Sequence, residues 1–165
     1  MPTFGPTTSG SLTDSWNSTR QIGSYYTLTE AGSVTSITGM IQATTANFAF
    51  AIYTLSGTTP SALKGVTQSG STTAGWVWYT ANFTIPVSLT PASYYLMMTA
   101  DQSFGQAYTS VTNGGFSDNF GEHTFDSWSD PWTSGTQRNY GVSIYATYNA
   151  ISGIKLKRLL NGLGR

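Results

Sequence analysis

Four acidic side chains recur at a spacing of four residues in one segment of the chain. They are Asp118, Glu122, Asp126 and Asp130. Carboxylate oxygens on an irregular loop are ligands that Ca²⁺ prefers in proteins. The spacing does not match an EF-hand loop, and Gly121 among β-forming neighbours argues against one helical face. We expect a solvated loop here, with a calcium site as the alternative and no other cofactor.

Aromatic residues are interleaved with polar ones in the same segment. They are Phe116, Phe120, Phe125, Trp128 and Trp132. Exposed rings beside amides and carboxylates could stack on sugar rings or form a protein interface, and Phe120, Phe125, Trp128 and Trp132 are the candidates for such contacts. Because aromatic side chains mostly bury, the third interpretation is that these rings anchor a long loop to the body.

The residues that catalysis would require are scarce in this sequence. His123 is the only histidine, and Asp126 follows it closely, but a nucleophilic triad also needs a positioned nucleophile, and no G-x-S-x-G turn is present. A glycosidase would need a pair such as Glu122 with Asp126 or Asp130. With one histidine and no cysteine, a zinc site lacks ligands. The sequence therefore favours a protein that is not an enzyme.

The last eleven residues form a cationic amphipathic tail. Four of the seven basic residues lie there, so the rest of the chain, with three basic and seven acidic residues, has a net charge of −4. Leucines at i, i+3, i+4 and i+7 form one helical stripe. A helix of about ten residues is marginal alone in water, so we expect it to order against a partner. The expected contact residues are Lys155, Leu156, Lys157, Arg158, Leu159, Leu160 and Leu163. Folding back on the body, contact with a membrane surface and a disordered end are the alternatives.

The composition of the body is that of a β-protein with very little charge. Charged residues make up 8% of the chain, whereas about 25% is usual. Their place is taken by 27 Thr, 21 Ser and 18 Gly, which favour strands and turns. No apolar run is long enough for a membrane span, and the acidic body argues against nucleic-acid binding. Low charge is typical of proteins outside cells, yet no signal peptide is visible. Either a virus particle protein or a piece of a larger secreted protein would reconcile the two observations.

These residues must be positioned by strands, because no helical pattern precedes the tail. Strand patterns recur at spacings of 10–15 residues, and the strictest alternation runs from Tyr140 to Tyr148. We predict an all-β fold: a single antiparallel β-sandwich or jelly roll of about eight strands. The predicted parts are an N-terminal arm (1–19), a sandwich domain (20–149) and a short amphipathic tail (150–165).

The order of turn and core residues resembles a jelly-roll module. Such modules occur in tailed-phage virion proteins of the decoration type and in extracellular bacterial and archaeal carbohydrate-binding-like domains. The residues that carry the resemblance are Ile22-Gly23-Ser24, Leu28-Thr29 with Ala31-Gly32, Val34 with Ile37, Ala51-Ile52-Tyr53, Pro60-Ser61, Trp76, Pro86-Val87-Ser88-Leu89, Tyr94 and Ile144-Tyr145-Ala146-Thr147-Tyr148. The resemblance covers about 20–149 and implies a fold, but it transfers no catalytic residue.

These observations together predict a non-enzymatic structural module of a virus particle. It would be a bacteriophage capsid decoration or another virion-surface protein that docks through its tail or arm. The sheet edges carry few charged residues to discourage pairing with another chain. We therefore expect these edges to be covered by symmetric copies of the chain or by the arm. The expected partners are its own copies and a capsid or other virion protein. The alternative is a carbohydrate-binding sandwich, extracellular or on a virion, whose partners are surface glycans.

Overall fold

The computed structural model describes residues 1–43, 45–72, 75–118, 123–133 and 135–151, and this part of the chain contains twelve strands and no helix. The strands are β1 Thr3–Phe4, β2 Leu12–Trp16, β3 Ile22–Leu28, β4 Gly32–Ala43, β5 Ala46–Ser56, β6 Thr59–Val66, β7 Gly70–Thr72, β8 Gly75–Leu89, β9 Ala92–Ala100, β10 Phe104–Ser117, β11 Thr136–Val142 and β12 Ile144–Ala150. All the strand pairs are antiparallel. The predicted all-β antiparallel class is confirmed, and the predicted number of strands was too low. The additional strands include short ones, such as β1 and β7, that have too few residues to show a side-chain alternation.

The strands form two packed layers, as in a β-sandwich. One layer contains β1, β12, β4 and β8 in that order, and the other contains β3, β9, β5 and β6. Strand β10 joins the layers, because its first residues pair with β2 and β4 whereas its last residues pair with β3. A side chain added at Gly39 in β4 would lie 3.0 Å from the ring of Phe50 in β5, so the two layers are in direct contact there.

The main core lies between these layers and takes one side-chain row from each strand. Ile37 and Ile41 of β4 meet Phe48, Phe50 and other buried residues of the second layer. In β12, Ile144, Ala146 and Tyr148 all enter this core, as the alternation in the sequence indicates. Burial of alternate residues from both layers fixes the register, since a slip of one residue would expose a whole row.

The second layer also buries its outer face, which explains why β5 and β9 are apolar on both sides. Ala51, Tyr53, Tyr95 and Met97 form a second cluster on that face. The segment 123–133 supplies its cover, with Trp132 buried and Trp128 partly buried against the cluster. A strand that is buried on both faces reads as a continuous apolar run, and this is what Tyr94–Met98 shows.

The N-terminal arm is part of the body. Thr3 and Phe4 pair with Thr147 and Ala146, so the arm covers the free edge of β12. Strand β2 pairs with the start of β10. Phe4 is buried and its ring lies 6.4 Å from that of Tyr94 and 6.2 Å from that of Tyr148. One edge of the first layer is therefore covered by the chain itself. A search of the described residues found no helix of sufficient length and hydropathy to cross a membrane.

Candidate interaction surface

The aromatic loop, defined here as residues 123–133, is held to the body chiefly by Trp132. This side chain is 8% exposed, and its ring packs edge-on against Tyr53 at 5.3 Å and Phe116 at 6.1 Å between centroids. The main-chain N–H of Trp132 donates to the main-chain carbonyl of Ser61 at 2.8 Å. Since only 8% of this side chain is exposed, the indole offers little surface to a ligand in this arrangement.

Trp128 and Phe125 lie nearer the surface of the same loop. Both side chains are half-buried. The Trp128 indole N–H donates to Oδ1 of Asp126 at 3.0 Å, and its ring lies 6.5 Å from that of Tyr53. The structure therefore leaves two of the predicted contact rings partly exposed beside a carboxylate, whereas Phe120 lies outside the described residues.

The acidic residues proposed as calcium ligands occupy different environments. Asp118 is buried, and its main-chain carbonyl accepts a hydrogen bond from Nη1 of Arg20 at 2.8 Å. Oδ1 of Asp130 accepts from the N–H of Leu63 at 3.0 Å, and Asp126 is exposed. Among the residues that the structure describes, no three histidine or acidic side chains are grouped closely enough to hold a metal ion, and Glu122 lies outside them.

The single histidine also lies in the aromatic loop. The Nδ1 atom of His123 is 3.5 Å from Oγ of Ser129, and its ring centroid is 6.2 Å from that of Trp132. A distance of 3.5 Å is at the long limit for a hydrogen bond. The absence of enzymatic activity stays a prediction.

Several tyrosine hydroxyls act as internal hydrogen-bond donors. The hydroxyl of Tyr53 donates to the carbonyl of Ser129 at 2.8 Å, and that of Tyr95 donates to the carbonyl of Thr58 at 2.6 Å. Burial raises the pKa of both groups. Burial, followed by the hydrogen bond to Asp14, raises the pKa of Tyr140 to about 12. The hydroxyls of Tyr53 and Tyr95 bind loop carbonyls to the second layer, and the hydroxyl of Tyr140 in β11 donates to Asp14 in β2 at 2.7 Å.

The β8 edge, defined here as the side of β8 that faces away from β4, is the largest unprotected edge in the described structure. Strand β8 has fifteen residues, and β4 is its only strand partner among the described residues. No residue between 75 and 89 is charged. Three of its apolar side chains are exposed: Trp76 by 39%, Val77 by 36% and Ile85 by 80%. Long, uncharged, apolar edges are templates for pairing with another chain.

A bulge divides the β8 edge into two parts. The strand is in continuous register with β4 from Gly75 to Asn82, and pairing resumes at Val87. Between these points β8 advances five residues while β4 advances two, from Ser36 to Val34. The extra residues place Ile85 on the outside of the bulge. Ile85 borders a groove of about 500 Å³, and Lys64, Gly65 and Val66 line the opposite wall of this groove. Only the segment 75–81 is therefore both regular and free to pair with a straight strand, because the carbonyl of Asn82 already accepts a hydrogen bond from the N–H of Gln68 at 2.8 Å.

The other edges in the described structure carry features that discourage pairing. Strands β1 and β7 have two and three residues. Strand β6 contains Pro60 and Lys64, β11 contains Arg138, and β2 contains Asp14. Short strands, proline and charged side chains are features by which natural sheets prevent their edge strands from pairing with other chains. The β8 edge lacks all of these features before Pro86.

The sequence does not reveal that the β8 edge is free. A proline such as Pro86 is expected to end a strand or to lie at a sheet edge, whereas β8 continues through it to Leu89. The available signal was a run of fifteen residues without a charge, although it does not reveal which side of a strand is free. The predicted docking residues 155–163 lie outside the described residues. The last described contact before them is the N–H of Ile151 donating to the carbonyl of Ala31 at 2.8 Å.

Comparisons with known proteins show little similarity. No protein-family model matches this chain, and no curated protein matches it. One solved structure that resembles it is described as the structure of infectious bursal disease virus Gx strain. The two chains are 9% identical with a TM-score of 0.36, and the match covers 98% of this chain and 46% of that one. This chain thus spans less than half of that chain's length, and a likeness at this TM-score carries no inference about function.

Proposed function

We propose that this chain is a non-enzymatic structural module of a virus particle. In this proposal it is a bacteriophage capsid decoration or another virion-surface protein that forms homo-oligomers and docks through its C-terminal tail. The observation that carries the proposal is the β8 edge, which is fifteen residues long, uncharged and partnered by β4 alone among the described strands. A protein with such an edge associates with a neighbouring chain, and ordered association is what a structural subunit does.

The composition of the whole chain supports an assembled rather than a freely diffusing protein. Charged residues make up 8% of the sequence, and the formal net charge is zero. A net charge near zero promotes association, because little electrostatic repulsion keeps copies apart. These properties are a disadvantage for a concentrated monomer but are compatible with a subunit whose neighbours are fixed by a lattice.

The tail is the proposed attachment segment. The N-terminal arm is already engaged with its own body through β1 and β2, so the docking role falls to the tail. The tail combines four basic residues with a leucine stripe, and the rest of the chain has a net charge of −4. An acidic, partly apolar groove on a shell protein is the complementary surface.

Sedimentation of particles from a lysate of the source tests the proposal. We expect the full chain in the particle fraction at a fixed ratio to the major shell protein. A variant that ends at Ile151 retains the described body, so it should show the same β-type circular dichroism and remain in the supernatant. Recovery of the full chain only in the supernatant would overturn the proposal. Full occupancy by the truncated variant would overturn the role of the tail.

A carbohydrate-binding sandwich is the second candidate function. Trp128 and Phe125 are half-exposed, and the Trp128 indole is oriented by Asp126, so one ring and one carboxylate form a small platform. Stacking of a sugar on an aromatic face beside a hydrogen-bonding group is a common mode of recognition. A glycan array should then show saturable binding that the Trp128→Ala variant loses. Absence of saturable binding by the intact chain would exclude this function.

A further inference from the structure

The direction of the backbone groups along β8 determines how a partner strand would pair with it. The Gln68 N–H donates to the carbonyl of Asn82 at 2.8 Å, so this carbonyl points away from β4. In an antiparallel strand the N–H and C=O of one residue point to the same side, and successive residues alternate sides. Because the register is unbroken from Gly75 to Asn82, the backbone groups of Trp76, Trp78 and Thr80 also point away from β4.

The side chains on this segment are compatible with a symmetric partner. Trp76, Trp78 and Thr80 share the outer face of the layer, where Trp78 packs against Tyr145 at 5.6 Å between ring centroids. Val77 is 36% exposed on the inner face. None of these residues is charged, so a second identical strand meets no like-charge repulsion.

The other described edges are poor partners for this one. They are short or carry proline or charge, whereas the β8 edge has none of these features between 75 and 82. Among the described edges, the best partner for the uncharged, regular β8 edge is therefore the same edge on another copy of the chain. Like edges that pair with each other produce an isologous contact around a twofold axis.

We infer that two copies of the chain pair through their β8 edges about a twofold axis that passes between the two Trp78 residues. This inference rests on the homo-oligomeric assembly in the proposed function and defines its interface. In this register Trp78 faces Trp78 of the other copy, and Trp76 faces Thr80. All three outward residues form hydrogen-bonded pairs, and each pair contributes two backbone hydrogen bonds. A shift of the axis by one residue would place Trp76 opposite Asn82, whose carbonyl already accepts from Gln68, or would place Thr80 opposite residue 74, beyond the regular segment.

A charge swap at the symmetry axis tests this geometry directly. In Trp78→Lys, each lysine would face the lysine of the other copy, and in Trp78→Glu two carboxylates would meet. Like charges directly opposite each other are destabilising in a sheet. Together with the lost Trp78 contact, we expect the dissociation constant of each variant to rise about tenfold or more. An equimolar mixture should recover dimers, because lysine then faces glutamate.

The measurement is light scattering coupled to size-exclusion chromatography, using the full chain. Ser88→Lys and Ser88→Glu are the controls, since Ser88 is exposed on the same strand beyond the bulge and should leave the dimer unchanged. Circular dichroism verifies that every variant is folded, and recovery in the mixture independently excludes a folding defect. A monomeric unmodified chain, dimers that persist in both single variants, or a mixture without recovery would each overturn the inference.

The outcomes separate this interface from the proposed function. If the chain sediments with particles while the Trp78 variants behave like the unmodified chain, the twofold pairing is wrong and the structural role stands. If the charge swap restores dimers but the chain never sediments with particles, the pairing stands and the virion role is wrong.

Discussion

Individual aromatic residues of this chain have roles that depend on their surroundings more than on their type. Trp132 is enclosed by Tyr53 and Phe116 and covers the second cluster, whereas Trp76 is 39% exposed at the β8 edge. In the sequence Trp132 lies among polar residues and Trp76 lies beside Val77 and Trp78, so local sequence alone would suggest the opposite burial. The difference arises because the loop folds over an outer face of β5 and β9 that is itself apolar, so one ring has an apolar surface to bury against.

Removal of the Trp132 side chain should strongly destabilise the fold. We expect Trp132→Ala to lower the free energy of unfolding by about 3–5 kcal/mol, because it leaves a large cavity over Tyr53. Ile85→Ala is the control, since Ile85 is 80% exposed and its loss should change stability by about 0.5 kcal/mol or less. Urea denaturation followed by intrinsic fluorescence measures both values. Equal stability of the two variants would show that the loop does not cover a core.

The buried tyrosines predict a loss of stability in alkaline solution. Burial raises the pKa of Tyr26, Tyr53 and Tyr95 above the ordinary value of 10.0, and raises that of Tyr140 to about 12. The unfolded chain therefore releases these protons first as the pH rises. Stability from these groups is fully present below pH 10 and falls as the pH increases through 10 towards 12 and beyond.

Unfolding in urea at pH 9, 10 and 11 should show this decrease. The Tyr53→Phe variant should lose less stability between pH 9 and pH 11 than the unmodified chain, because one of the buried hydroxyls no longer titrates. Parallel pH dependences of the two proteins would contradict the assignment to Tyr53. The same variant at pH 7 loses the hydrogen bond to Ser129, which is worth about 1 kcal/mol.

At the scale of elements, the sequence predicts those strands in which buried and exposed side chains alternate over several residues. Val142, Ile144, Ala146 and Tyr148 alternate along the chain, and all four enter the main core as predicted. The pairing of the arm with β12 could not be predicted in this way. Thr3 and Phe4 form a strand through backbone bonds, and two residues carry no periodicity. The full length of β8 could not be predicted either, because a proline normally ends a strand, whereas Pro86 lies in the bulge and interrupts no pairing with β4.

The arm should stabilise β12 through a single buried anchor. Phe4→Ala removes a ring that contacts Tyr94 and Tyr148, so we expect a loss of about 3–5 kcal/mol. The amide of Tyr148, which donates to the carbonyl of Pro2 at 3.0 Å, should then exchange with solvent faster. Leu12→Ala is the control, because Leu12 is an apolar residue of the same arm that is 43% exposed. Unchanged exchange at Tyr148 in Phe4→Ala would mean that the arm is not held by this ring.

For the whole molecule, the main feature is the separation of charge between the body and the tail. Their net charges are −4 and +4, so the formal total of zero conceals a dipolar chain. Within the body, Asp118, Asp126 and Asp130 lie in or next to the aromatic loop. The proposed interactions divide accordingly: the uncharged β8 edge joins copies through backbone bonds, and the tail joins the assembly to a different surface through leucines and basic groups.

This division predicts how salt affects the two contacts. Salt screens exposed charges, with a Debye length of about 10 Å at 0.1 M and about 3 Å at 1 M. Attachment through the tail should weaken at 1 M salt without being lost, because burial of the leucine stripe contributes the larger part. Backbone pairing at the β8 edge involves no charged side chain, so the fraction of dimers should not decrease. Sedimentation with particles and light scattering measure the two contacts separately. Complete release of the chain from particles at 1 M salt would show that charge, rather than apolar burial, dominates attachment.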